Sequence, residues 1–241
     1  VAKLHFKIDG LARMSDPCEM PAYTIAEAAH YLCIPKATIG AWVRGTTYTD
    51  RGATRRFRRV IELPDRSHSL LSFYNLAEAH VLRALRTEYG VSLPIIRKAL
   101  DYVRRECGLE RPLIQEQFRT DGATLFAERL GKLVDTAQPE QYLLPLLYEY
   151  LDRIEWEDQF AARLFPFTLA VRSPDMPRLI VIDPTRSFGR PLLDRLGVTT
   201  NVIAERYKAG DSIAKLMDEY GGAQTDIEEA IRCELHVDAA A

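Results

Sequence analysis

The chain has 241 residues, of which 47% are hydrophobic, enough for one to three compact units with buried cores. Its longest apolar runs, such as Leu179 to Ile182, are far too short to cross a bilayer. The first residues mix charge with apolar side chains and hold no signal-peptide core, so a cytoplasmic location is expected. The four cysteines (Cys18, Cys33, Cys107, Cys233) form no CxxC pair and no Cys/His cluster. They signal neither a zinc site nor a disulfide framework and read as free, partly buried thiols; no metal or cofactor is expected. The net charge of −2 hides an asymmetry: residues 1–108 hold 17 Lys/Arg against 11 Asp/Glu, and residues 109–241 hold 15 against 23. A basic front half points to nucleic acid at that end of the chain.

In chain order, Lys3 to Asp9 alternates briefly and predicts an edge strand. Thr24 with Glu27 forms a capping box, and Ile25, Ala28, Ala29 and Leu32 follow on one helical face. Ile34 plugs the short connection and Pro35 opens a second helix, Lys36 to Arg44, which turns Ile39, Trp42 and Val43 inward and stops at Gly45. Two short helices so joined read as a helix-turn-helix. The turn-forming Asp50-Arg-Gly and the strand-like Arg55 to Ile61 predict a two-stranded wing, with Phe57 anchoring it. Helices are predicted over Leu70 to Glu88, ended by Gly90, and over Ser92 to Arg105, with Pro94 in the first turn.

Farther on, Gln117 to Phe126 contains Asp-Gly between strand-like flanks and predicts a hairpin. Gln141 to Leu164 reads as one or two amphipathic helices, and Phe165 to Val171 as a strand-like run. Leu179 to Asp183 predicts a short strand. Three helices close the chain: Thr200 to Lys208, Ser212 to Tyr220 and Thr225 to Leu235, with Ala239 to Ala241 as a frayed tail. The expected fold is mainly α with small β wing and hairpins: two helix-turn-helix domains, 1–108 and 178–241, joined by an α+β middle region, 109–177.

Two stretches resemble known families. Tyr23-Thr-Ile-Ala-Glu-Ala-Ala-His-Tyr-Leu-Cys-Ile-Pro-Lys-Ala-Thr-Ile-Gly-Ala-Trp-Val-Arg, continued by the wing and Val91 to Leu100, resembles a MerR-type winged helix-turn-helix. That implies a second helix in the major groove and a wing on the backbone. The chain departs from the pattern at Gly40-Ala41, where many members carry Arg-Tyr, and at Cys107-Gly108, which stops the usual dimerisation helix early. Ile182-Asp-Pro-Thr-Arg-Ser-Phe-Gly-Arg-Pro and Gly197 to Leu216 are similar to a helix-turn-helix family of unknown function, often the antitoxin partner of PIN-domain ribonuclease toxins. Together they resemble a large VapB-type antitoxin. The resemblance implies a regulator that binds operator DNA, neutralises a PIN-domain toxin and forms a homodimer.

For DNA contact, the candidates are the cluster Arg44, Arg51, Arg55, Arg56, Arg58 and Arg59, interrupted only by Asp50 among charged residues, with Lys36 and Thr38 on the second helix. Guanidinium groups grip phosphates bidentately, and cations on a recognition helix can read guanine edges. The alternative is a solvated charged face, which the position directly after a helix-turn-helix makes the lesser reading, and for Thr38 a structural cap. The last helix carries Asp226, Glu228, Glu229 and Glu234, which phosphate would repel, so the C-terminal unit is expected to dimerise or bind a partner. The resemblance implies that a toxin's clustered carboxylates are blocked by an Arg or Lys; Arg186 and Arg190 are the candidates. No P-loop, GxGxxG or HExxH occurs. His68 beside Ser67 and Ser69 reads as a solvated turn, and Glu155-Trp-Glu-Asp as diverging helical neighbours, so no enzyme is expected. Two other readings stay open: a stand-alone regulator with a ligand pocket lined by Phe118, Phe126, Tyr142, Tyr148 and Tyr150, and an interaction protein that no longer binds DNA.

Overall fold

The computed structural model describes residues 16–50, 53–65, 67–134, 139–169 and 176–235. The strand expected over Lys3 to Asp9, Arg51 and the tail at 239–241 lie outside the described residues. The fold is mainly α with small antiparallel hairpins. In chain order it runs α1 (Ile25–Tyr31), α2 (Lys36–Arg44), β1 (Thr46–Asp50), β2 (Ala53–Phe57), α3 (Phe73–Arg83), α4 (Leu93–Cys107), α5 (Ala123–Val134) and α6 (Pro139–Leu151). The strands β3 (Ile154–Glu157), β4 (Phe160–Leu164), β5 (Ile180–Val181) and β6 (Leu192–Leu193) follow, and then α7 (Thr200–Lys208), α8 (Ile213–Tyr220) and α9 (Gln224–Glu234).

One hydrophobic core runs from Tyr23 to Ile182, so the helix-turn-helix and the middle region are packed around the same interior. Its centre is α3, in which every residue is buried. A helix with no solvent face must satisfy its polar side chains inside. Arg83 donates to the Leu32 carbonyl (2.8 Å), Asn75 to the Glu62 carbonyl (2.9 Å), and His80 Nε2 meets the Tyr150 carbonyl at 3.1 Å. These bonds tie α3 to the helix-turn-helix on one side and to the middle region on the other. The π-wide turn Ala84–Glu88 extends α3 and ends at Gly90, whose φ of 74° suits glycine. The helix starts at Phe73 rather than Leu70 because Ser72 caps it, while Leu70 and Leu71 make bridges to Asp65 and Tyr23.

Three expectations for the middle region fail. Gln117 to Phe126 is no hairpin: a π-wide turn, Phe118–Gly122, feeds directly into α5. Phe118, Gly122, Phe126 and Leu130 recur every fourth residue and all are buried, a helical stripe. Gly122 is a packing glycine, because a Cβ there would sit 2.9 Å from the Phe118 ring. The helix expected to Leu164 ends at Leu151, and β3 and β4 form a hairpin turned by Asp158 and Gln159 at φ 47° and 70°. No Gly or Asn marks that turn. Glu155 therefore lies on a strand, where it accepts from Arg163 across the pair at 2.6 Å. Phe165 to Leu169 is not a strand either. Instead Phe167 fills a small cluster with Ala84 and Tyr150, stacked 5.7 Å from the His80 ring.

The C-terminal unit has its own, smaller core of Ile180, Leu193, Ile203, Leu216, Ile227, Ala230 and Cys233. Ser212 caps α8 and Gly221 closes it at φ 70°. This unit joins the larger core through the Leu164–Ile182 bridge and through polar contacts: Thr168 donates to Glu229, and His30 lies 3.6 Å from Glu234.

Candidate nucleic-acid interface

The helix-turn-helix is built by local signals. Thr24 Oγ1 accepts from the Glu27 amide (3.1 Å), and Glu27 accepts from the Thr24 amide (2.8 Å), closing the capping box that starts α1. Ile34 is buried between α1 and α2, and Pro35 is the N-cap of α2. Ile39, Trp42 and Val43 point into the core, all nearly without exposure. A stripe at four-residue spacing along the edge of this buried face carries Lys36, Gly40 and Arg44. Lys36 and Arg44 are exposed, and a Cβ on Gly40 would meet nothing within 4 Å. This stripe is thus two exposed cations with an open glycine between them, so a nucleic-acid backbone can approach closely. Thr38 is partly exposed and caps nothing, since α2 has no side-chain cap bond.

From α2 the chain enters the wing, where β1 pairs antiparallel with β2 and Thr47 faces Arg56, Tyr48 Arg55. Arg55 and Arg56 are placed by their backbone; their side chains and that of Phe57 are outside the described part. The chain then returns to α2: the amides of Val60 (2.8 Å) and Ile61 (3.2 Å) both donate to the Trp42 carbonyl. Arg97 of α4 donates to the carbonyls of Arg58 and, at 3.0 Å, Arg59, fixing the wing base on α4. Burial holds its guanidinium below the usual arginine value.

A groove of about 970 Å³ opens between these parts, lined by Arg44, Arg58, Arg59, Arg97 and Arg104 together with Glu62, Asp101 and Glu110. Arg59 is held by Glu62 (2.8 Å) and Arg104 by Asp101 (2.8 Å), while Arg58 and Arg44 are exposed. Guanidinium groups held at the wall of a groove are suited to phosphate oxygens. The structure brings together three of the expected arginines, 44, 58 and 59; Lys36 and Thr38 sit at the other end of α2 and do not line the groove. Arg97 and Arg104 were missed in the sequence. Their signal was present: with Asp101 they form a polar stripe of α4 that borders the buried Ile96, Ala99, Leu100 and Val103.

In the C-terminal unit most of the acids of α9 are engaged within the molecule. Asp226 accepts from the Ala223 amide (2.9 Å) and is buried. Glu229 is buried and accepts from Thr168 and Arg232. Glu234 accepts from Thr200; burial would push its carboxyl up, but His30 and Thr200 outweigh that and hold it low. Glu229 and Glu234 thus turn inward and dock α9 onto the rest of the molecule, Asp226 closes the start of its own helix, and the partly exposed Glu228 accepts from Gln224 on the same helix.

Arg186 and Arg190 lie in the loop between β5 and β6. Arg186 donates to the Asp194 carboxylate (2.7 Å) and carbonyl (3.1 Å), whereas Arg190 is exposed. Ser187, Phe188 and Gly189 all have positive φ, at 47°, 55° and 73°. For a non-glycine residue that region costs on the order of 1–2 kcal/mol. The Tyr23 hydroxyl donates to the Gly189 carbonyl (3.0 Å), and a Cβ on Gly189 would fall 2.1 Å from that hydroxyl, so no other residue fits. Phe188, at the tip, is 94% exposed.

Other expected groups take structural places. Burial pushes the Cys18 thiol up to about 12 and also raises Cys33 and Cys233. Phe118, Phe126 and Tyr150 are fully buried while Tyr142 is 74% exposed, so those aromatics do not line one pocket. Asp65 accepts from Ser67 (2.5 Å) and meets His68 Nδ1 (2.6 Å), which holds its carboxyl low in an exposed turn. Among the described residues, no group of three or more His, Cys, Asp or Glu is placed to hold a metal ion, and no helix is long and apolar enough to cross a membrane.

These features define a chain with a winged helix-turn-helix at its front and a small three-helix unit at its back, and the comparisons with known proteins divide it the same way. Residues 21–100 match the family described as a putative DNA-binding HTH domain, and residues 180–232 match DUF433, a family of unknown function. Over nearly its whole length the chain is a homologue of a protein named putative antitoxin VapB45 from Mycobacterium tuberculosis (strain H37Rv), 29% identical over 88% of this chain and 93% of that one. The crystal structure of Rv2018 from Mycobacterium tuberculosis is similar, with a TM-score of 0.64 and 26% identity, covering 88% of this chain and 98% of that chain.

Proposed function

We propose that this protein is a non-enzymatic cytoplasmic antitoxin that neutralises a PIN-domain ribonuclease toxin and binds operator DNA to repress its own operon. The observation that carries the DNA half is the groove where Arg44, Arg58, Arg59 and Arg97 meet beside α2. The antitoxin half is supported by the full-length likeness to the protein named putative antitoxin VapB45. In this reading residues 1–108 are the DNA-binding unit, 109–177 connect, and 178–241 serve a homodimer or hold the toxin. Arg58, Arg59, Arg97 and the wing arginines Arg51, Arg55 and Arg56 take phosphates, while Lys36 and Arg44 on the open stripe of α2 face the bases. On the toxin side, Arg190 is the better candidate, because Arg186 is already engaged by Asp194.

Fluorescence anisotropy on DNA from just upstream of the gene, at two salt concentrations, tests the DNA half. The triple variant Arg44→Ala, Arg58→Ala, Arg59→Ala is expected to lose affinity. Its log–log salt slope should fall by about 0.9 for each phosphate contact removed. Equal binding by the variant would reject the groove as the DNA site.

A further inference from the structure

We infer that the Ser187–Gly189 tip is a pre-shaped anchor for a folded protein partner, with Phe188 entering an apolar pocket that has a carboxylate at its rim to receive Arg190. The inference rests on the antitoxin reading above, and the occupant is therefore the ribonuclease toxin. An exposed apolar side chain alone carries no such meaning. What distinguishes Phe188 is the backbone beneath it. Two consecutive non-glycine residues, Ser187 and Phe188, stand in the left-handed region, where a bulky side chain is an outlier. Phe188 belongs to none of the hydrophobic clusters, so its ring does not repay that conformation within the chain.

The strained tip is held from three sides. Asp183 accepts from the Thr185 amide (2.9 Å) and hydroxyl (2.6 Å), Arg186 clamps Asp194, and Tyr23 clamps Gly189. A rigid aromatic with few rotors loses little freedom on binding, and an aromatic beside an arginine is the composition of interface hot spots. A nucleic acid fits less well. Arg186 is neutralised by Asp194, and the five-arginine groove does not include the tip.

The test titrates the full chain and its Phe188→Ala variant with the purified PIN-domain ribonuclease encoded beside this gene, by calorimetry. The variant is expected to bind about 30-fold more weakly, the size of a hot-spot loss. Its affinity for upstream DNA and its thermal melt should match wild type, because the ring touches no core; Phe188→Tyr should bind within a few-fold of wild type. If wild type binds the toxin and Phe188→Ala binds equally, the anchor is overturned and the antitoxin reading stands. If wild type does not bind, the reading itself fails and takes the toxin with it as occupant. Loss of DNA affinity in Phe188→Ala would make the tip a nucleic-acid wedge, and a shift from dimer to monomer would seat the ring in a second copy; each overturns the proposal.

Discussion

The two interiors of this molecule are built on different principles. Around α3 the core is continuous and apolar; among its few buried polar groups Arg83 and His80 reach backbone carbonyls, and Glu78 pairs with Arg111 at its edge. Around α7, α8 and α9 the apolar core is small, and much of the attachment to the rest is polar: Glu229 with Thr168, Glu234 with His30, Gly189 with Tyr23. Apolar packing is insensitive to direction, whereas hydrogen-bonded charges fix one geometry and lose much when a single partner is removed. The first interior should therefore set global stability, and the second should set how the C-terminal unit is seated.

Removing Trp42, fully buried on the inner face of α2, should sharpen this contrast most. Trp42→Ala is expected to cost about 3–5 kcal/mol in urea unfolding; a loss below about 1 kcal/mol would mean that α2 is not held by this core. Next, Glu229→Ala should cost about 1–3 kcal/mol by leaving the buried Thr168 hydroxyl without its acceptor. Hydrogen exchange should show it locally, with protection over 200–234 lost before that over 73–103. Uniform loss across both regions would erase the distinction.

His80 offers a pH handle on the first interior alone. Burial, reinforced by Arg83, lowers its value from 6.5 to about 3. The unfolded chain then takes up a proton that the folded chain refuses, so stability falls as pH drops below about 6.5. The slope is about 1.4 kcal/mol per pH unit from this group, ending near its folded value. His80→Asn should flatten the melting-temperature profile between pH 6 and 4, and an unchanged slope would exclude His80 as its cause. The smallest effect belongs to Gly40→Ala. The added methyl meets open space in a helix, so stability should rise by about 0.5–1 kcal/mol. A drop in stability instead would show that the position is not open.

Where the signals were local, the sequence was legible. Thr24 with Glu27, Pro35, Ser212 and Gly221 each mark a helix end within a few residues, and the helices they bound appear where expected. The middle region hid its structure in tertiary contacts. Asp121-Gly122 has the letters of a turn, but the glycine makes room for the Phe118 ring, which only packing reveals. Asp158-Gln159 makes a turn with only the aspartate to mark it, and with glutamine in a left-handed position that usually takes glycine. At the candidate site, the arginines adjacent in sequence could be read, whereas Arg97 and Arg104 become part of it only because α4 crosses the base of the wing.

The Tyr23–Gly189 bond has an evolutionary consequence. It joins positions 166 residues apart, one just before the first helix and the other in the strained loop of the back unit. Gly189 admits no side chain while Tyr23 stands opposite it, and a chain stripped of the loop would open the Tyr23 ring, now 3% exposed, to water. Drift at either position is thus constrained by the other. The helix-turn-helix of this chain is therefore not a free cassette: part of its surface is completed by the unit that closes over it.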